Sequence, residues 1–233
     1  MVKQEGPPSG SKTLDKGLRI LEALAAHPSG LTVSRLAEEV EAHRTIVYRL
    51  LLTLAGHGLI ARQADGVYRL GLALISLASG VRADLRQAAH QPLATLADRT
   101  GATAHLTLPD DDEAVSAVVT EPTRARAHVA YRVGSRHPLD RGAAGMALLL
   151  QRPVCSGERV ELAGVRDKGY AVSLGELQAG AWGLAAPVRD AEGRVIASVG
   201  VIALSELPET STAAAVQEAS QQISRALGAL PTT

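Results

Sequence analysis

LTVSRLAEEVEAHRTIVYRLLLTLAGHGLIARQADGVYRLG, residues 31–71, carries a helical period first and a strand period after it. Thr32 offers a hydroxyl to an orphan amide of a first turn. Val33, Leu36, Ala37 and Val40 then recur at i, i+3, i+4 and i+7, one apolar stripe of a short helix. A turn is predicted at residues 41–43 and a second helix over residues 44–55, ended by Gly56 and Gly58. Residues 59–63 and 67–70 read as short strands around Ala64-Asp65-Gly66, a tight hairpin signal. The stretch thus reads as helix, turn, helix and a two-stranded wing.

The second helix has two faces. Val47, Leu50, Leu51 and Leu54 repeat at helical spacing and are predicted to face a core. Thr45, Tyr48, Arg49 and Leu52 repeat with the same spacing on the other side. A buried supporting helix needs only the first stripe. A helix lying in a major groove also needs hydrogen-bonding groups on its outer face near its N-terminus. His43, Arg44, Thr45, Tyr48 and Arg49 meet that need, and Arg62 and Arg69 on the hairpin suit phosphate contact. Two other readings of the pattern exist: a helical domain with a solvated polar face, and a winged helix devoted to protein contact. The latter would lack the steep salt dependence of phosphate binding.

A chain of 233 residues is natural for two domains. Hydrophobic residues make up 46% and aromatics 2%, with no Phe, so its cores are built from Leu, Ala, Val and Ile. Net charge is zero, which argues against nonspecific coating of nucleic acid. The charge is distributed unevenly, however. From His43 to Arg69 there are four arginines against Asp65 alone, an excess of three positive charges on the proposed DNA face. Cys155 is the only cysteine, so no internal disulfide forms. The N-terminus lacks an apolar signal region and no apolar run approaches a membrane span, so a soluble cytoplasmic protein is expected.

Residues 1–11 are rich in Gly, Pro and Ser and read as a disordered tail. Residues 13–27 read as a helix with Leu14, Leu18, Leu21 and Ala25 on one face. The winged helix-turn-helix domain is placed at 12–71, a mostly apolar linker helix interrupted by Gly80 at 72–86, and a second domain at 87–231. There, a helix is expected over 92–100, with Pro92 in its first turn and Gly101 as its cap. Strands are expected at 103–108, 114–121, 128–133, 169–173, 181–189 and 194–204. A short apolar helix is expected at 143–150, a loop at 151–156 and one short helix within 157–168. Ser211 or Thr212 caps a last helix that packs through Val216, Ala219, Ile223, Leu227 and Leu230. Helices flanking a mostly antiparallel sheet make this an α+β protein.

From about Lys12 to Leu230 the chain resembles the IclR family of bacterial transcriptional regulators. The resemblance rests on Val47-Tyr48-Arg49-Leu50-Leu51, on residues 66–71 (GVYRLG) and on the apolar linker. It continues in residues 138–145 (PLDRGAAG), in Gly169-Tyr170-Ala171 and in residues 185–190 (AAPVRD). It implies an N-terminal DNA-binding domain, a C-terminal effector-binding domain with a GAF-like sheet, and dimers formed through the N-terminal and linker regions, often paired into tetramers. It also implies ligands that are small organic or aromatic acids. Members usually have Gly where Glu41 stands and Thr where Ile46 stands; His and Ala are common where Asp140 and Arg141 stand, and Asp and Cys where Ser173 and Gly183 stand. The segment before Gly169 is shorter than usual.

An effector pocket needs apolar walls and a few placed polar groups. The expected walls are Leu139, Ala143, Met146, Trp182 and Leu184, and the expected polar groups are Arg141, Ser173 and Glu176. Arg141 suits a forked pairing with a carboxylate, and Trp182 offers a flat face to a ring. Alternatively, Trp182 merely packs on the sheet and Arg141 is solvated. The chain therefore reads as a regulator whose partners are an operator duplex, a small effector and a second copy of itself. The competing reading is an enzyme in the second domain. It finds little support: His105, His128 and His137 lack paired metal-ligand spacing, and no phosphate loop or nucleophile elbow appears. No catalytic set, cofactor or metal is predicted.

Overall fold

The computed structural model describes residues 10–124, 131–152 and 160–228. It divides the chain into two compact units, with the division after Val81. The first contains α1 (Lys12–Ala26), α2 (Val33–Glu39), α3 (Arg44–Gly56), the hairpin β1 (Ile60–Arg62) and β2 (Tyr68–Leu70), and α4 (Ala73–Ser79). Ser11 accepts from the Leu14 amide at 3.3 Å and caps α1, so order begins inside the segment expected to be a disordered tail. The rest of that tail, residues 1–9, lies outside the described residues. Thr32 caps α2 as its hydroxyl predicts, accepting from the Arg35 amide at 3.4 Å.

The core of this unit joins Ile20 and Leu24 of α1 to Leu36, Val40, Val47, Leu51, Ile60 and Tyr68. The buried face of α1 is therefore Gly17, Ile20 and Leu24, while Leu14 and Leu18 on the other stripe stay exposed. Leu31 bridges to Tyr68, which fastens the wing to the residue before the α2 cap. Within the wing, the Asp65 carboxylate accepts from the Val67 amide at 3.0 Å, an Asx turn that sets the hairpin.

The second unit has α5 (Ala83–Thr100), β3 (Thr103–Asp110), β4 (Glu113–Thr120), β5 (Arg136–Pro138), α6 (Gly142–Leu149), α7 (Val160–Lys168), β6 (Ala171–Leu174), β7 (Trp182–Arg189), β8 (Val195–Ala203) and α8 (Glu209–Ala226). Among the described residues, six strands form one antiparallel sheet in the order β5-β4-β3-β8-β7-β6. One face is aliphatic: Ala104, Leu106, Leu184, Ala186, Val188, Val199 and Val201 pack against Leu85, Leu93 and Leu96 of α5 and Val216, Ala219 and Ile223 of α8. The other face is covered by α6, through Ala143, Ala144, Met146 and Ala147, together with Leu162 and Val165 of α7.

Several expectations are corrected here. The predicted linker helix is two helices: α4 ends at Ser79 with Gly80 as its cap residue, and the chain then turns at Arg82, whose φ of 44° is left-handed, before α5 begins. The helix predicted over 92–100 is the second half of α5, with Pro92 inside it. A proline there forfeits one helical hydrogen bond; burial of Leu85, Ala89, Leu93, Leu96 and Ala97 along one face holds the helix together across it. A strand was expected over 128–133; Tyr131, Arg132 and Val133 are not in a strand, and 128–130 lie outside the described residues. The strand beside β4 is instead β5, whose Pro138 sits at an edge where no amide is needed. The last helix begins at Glu209 with Pro208 as its cap residue, and the Ser211 hydroxyl donates to the Pro208 carbonyl at 3.1 Å rather than capping from outside. Thr212 is buried in the helix. Cys155 and Leu230 lie outside the described residues.

Candidate functional site

In the first unit, α2 ends in a tight reversal that aims α3. The Ala42 amide donates to the Ala37 carbonyl at 3.0 Å and the Glu41 amide to the Glu38 carbonyl at 3.2 Å, with Glu41 left-handed at φ 50°. This is the Schellman arrangement, which favours glycine at the left-handed position. The end of α3 repeats it with Gly58 at φ 66° and the Leu59 amide on the Leu54 carbonyl.

Between these stops α3 shows the two faces its sequence predicts. Val47 and Leu51 are buried, and Leu50 and Leu54 are half-buried against the same core. His43, Arg44, Thr45, Tyr48, Arg49 and Leu52 are exposed, and so is Ile46. His43 stands at the cap position and makes no side-chain capping bond. Among the described residues no ion pair holds the guanidinium of Arg44, Arg49 or Arg62. Arg69 differs, because its Nε donates to the Ser29 carbonyl at 3.2 Å. That bond fixes the plane of the guanidinium and leaves its outer nitrogens for another acceptor.

In the second unit, a pocket lies between the N-terminus of α6, the loop after β6 and the sheet. It is lined by His105, Tyr131, His137, Ala143, Ser173, Glu176, Leu177, Trp182 and Gly183, among others, and its cavity volume is about 30 Å³. Metabolite pockets are roughly tenfold larger or more, so this one is closed around little more than a water's space. The Ser173 hydroxyl accepts from the Ala143 amide at 2.9 Å. The Glu176 carboxylate accepts from the Gly142 amide at 2.7 Å. Both bonds satisfy orphan amides at the start of α6. Gly142 is at φ 75°, and a Cβ there would meet Leu177 Cδ1 at 2.7 Å, so the loop closes directly over this end of the helix.

Four of the eight expected effector residues, Ala143, Ser173, Glu176 and Trp182, line the pocket. Leu184 does not, because strand alternation turns it, like Ala186 and Val188, to the opposite face under α5 and α8. Trp182 shares that parity and belongs to the same core, so it only borders the pocket. Leu139 packs with Ala114, Leu148 and Val195, and Met146 packs beneath α7. Arg141 does not reach the pocket either; its guanidinium donates to the Glu176 carbonyl. Ser173 and Glu176 thus cap a helix in this closed form.

The pocket also contains two of the histidines that lack metal-ligand spacing in the sequence. His105 and His137 lie together in its lining with Tyr131, whose ring centre is 5.3 Å from that of His105. Burial, with a smaller effect from neighbouring His137, pushes the His105 pKa down to about 4. Its Nδ1 sits 3.1 Å from the Thr107 hydroxyl. The legible signal was parity: in Thr103-Ala104-His105-Leu106-Thr107 the polar residues take one face and the apolar residues the other.

These features define a winged helix-turn-helix protein with a separate α+β unit that encloses a small pocket. The profile of the IclR helix-turn-helix domain matches residues 13–64, and that of the bacterial transcriptional regulator IclR C-terminal region matches residues 78–160 and 158–225. The chain belongs to the IclR family and is a DNA-binding transcriptional regulator. It is 29% identical over 247 residues to the HTH-type transcriptional regulator XynR of Escherichia coli, spanning 93% of this chain and 97% of XynR. The crystal structure of the Thermotoga maritima IclR matches with a TM-score of 0.75 at 27% identity, covering 93% of this chain and 98% of that one. An IclR homologue from Microbacterium hydrocarbonoxydans, solved in complex with 4-hydroxybenzoate, shares the fold with a TM-score of 0.80 at 24% identity, over 92% of this chain and 98% of its own.

Proposed function

We propose that α3 enters the major groove of an operator while the wing rests on phosphate, and that a small organic acid in the pocket beneath α6 sets the affinity for DNA. The two-faced α3 carries the first part. Arg49, Tyr48, Thr45 and Arg44 lie on an exposed face that the core leaves unused, with His43 at its start and Arg62 and Arg69 on the wing. Arginine reads guanine in a forked geometry, and wing arginines hold the backbone without reading it.

The acid is supported by the start of α6, where the Gly142 and Ala143 amides already donate to an oxygen of Glu176 and of Ser173. A helix N-terminus favours negative charge at that place. Among the described residues no lysine or arginine lines the pocket, so these amides are its positive pole.

The regulator acts as a dimer or a pair of dimers. No residue of α4 is buried, and Leu72, Ile75 and Leu77 stand exposed together with Leu14 and Leu18 of α1. No helix among the described residues is long and apolar enough to cross a membrane, in keeping with work in the cytoplasm.

The test is selection of a duplex from a random pool by the purified chain, followed by a metabolite screen for release of that duplex. Recovery of one motif and its release by an acid is the expected result. Retention of no motif above background, with turnover of a metabolite in the same preparation, would replace the regulator reading of these sites with the enzymatic one.

A further inference from the structure

His137 is 7% exposed and lines the pocket, yet its Nε2 is buried without a hydrogen-bond partner. Its other ring nitrogen, Nδ1, lies 3.0 Å from the Pro138 carbonyl. A carbonyl only accepts, so Nδ1 carries the proton. With the proton on Nδ1, Nε2 of the neutral ring is a bare acceptor on a residue that lines the pocket. A buried acceptor left unpaired costs free energy and is normally met by water or by a ligand.

At another side of the same pocket, the Glu176 carboxylate sits on the Gly142 amide. It comes from the loop after β6 and fills the position an external carboxylate would take. Moving this side chain and Leu177 away from α6 would enlarge a cavity of only about 30 Å³.

We propose that the effector is a small hydroxy acid whose carboxylate replaces that of Glu176 at the start of α6 and whose hydroxyl donates to Nε2 of His137. This rests on the reading of the pocket as the effector site. Glu176 is then the built-in occupant of the empty regulator, and exchange for the ligand frees the loop of Glu176 and Leu177 from α6. The coupling is reciprocal: whatever holds the loop down weakens the acid, and the acid loosens the loop.

The test is calorimetric titration of the full chain with matched pairs: lactate and propionate, 3-hydroxybutyrate and butyrate, 3-hydroxybenzoate and benzoate. Release of a selected duplex is followed in parallel. In at least one pair the hydroxylated member binds about tenfold more tightly, as one added hydrogen bond to a buried acceptor allows. His137→Phe removes that preference. His137→Gln, which restores a carbonyl acceptor, recovers part of it. Glu176→Gln tightens both members by removing the competing charge. Equal binding within every pair, no binding by any acid, or a preference that survives His137→Phe overturns the proposal. Release of the duplex by compounds of another class would then leave the effector reading standing, whereas a broad metabolite screen in which nothing alters DNA binding would remove that reading as well.

Discussion

His105 shows how far burial alone sets the chemistry of a single side chain in this protein. Its pKa of about 4 lies below the ordinary histidine value of 6.5 because the folded unit desolvates the charged form, with His137 beside it adding to the effect. The unfolded chain therefore binds a proton between pH 6.5 and 4 that the folded chain refuses, so stability falls as pH drops through that window. Lowering the pH from 7.5 to 5 is expected to remove about 2 kcal/mol through this group. Thermal unfolding of wild type and His105→Gln at both pH values checks it: the variant loses less on acidification.

Arg62 and Arg69 separate at the same scale. Arg62 has no ion pair among the described residues, while Arg69 is steadied by the Ser29 carbonyl. Arg62→Ala is expected to weaken binding to all duplexes alike and to reduce the slope of log K against log salt by about one. Equal slopes for variant and wild type would remove Arg62 from the phosphate contacts.

At the scale of elements, the turn between α2 and α3 is where sequence and structure meet most closely. Glu41 adopts a left-handed backbone, φ 50°, at the position a Schellman turn gives to glycine. Glu41→Gly is expected to raise stability by about 1 kcal/mol, read as a higher unfolding midpoint; a lower midpoint would mean that the glutamate side chain or the stiffness of the turn outweighs the strain. The helix-turn-helix was legible because caps, stripes and the hairpin all lie within a few residues of one another. The pocket was less so. Ala143 lines the pocket as expected, whereas the period-two alternation of β7 turns Leu184 to the opposite face of the sheet. His105 and His137 are on different strands, and only the sheet order that places β4 between β3 and β5 brings them together. Gly80 marks the end of α4, as its residue type suggests, whereas the left-handed turn at Arg82, φ 44°, has no glycine to announce it.

For the whole molecule, Leu14 and Leu18 of α1, Ile75 and Leu77 of α4 and Leu72 just before it are large apolar side chains left exposed. Leu72 is 82% exposed and Ile75 68%. A single winged helix also makes too few base contacts to specify a site in a genome, so paired half-sites are expected. Light scattering at micromolar concentration is expected to give at least twice the 24.2 kDa of the chain. Replacing Leu72 and Ile75 by Glu together shifts that mass toward the monomer and weakens operator binding. A monomeric wild type that binds DNA fully would contradict the dimer.

If the exposed face of α3 reads bases, Arg49 is the side chain whose loss shows it. Operator and random duplex are titrated side by side with wild type and Arg49→Ala at one fixed salt concentration. A loss of about 1–3 kcal/mol on the operator and little change on the random duplex is expected. Equal operator affinity for the two proteins would contradict it.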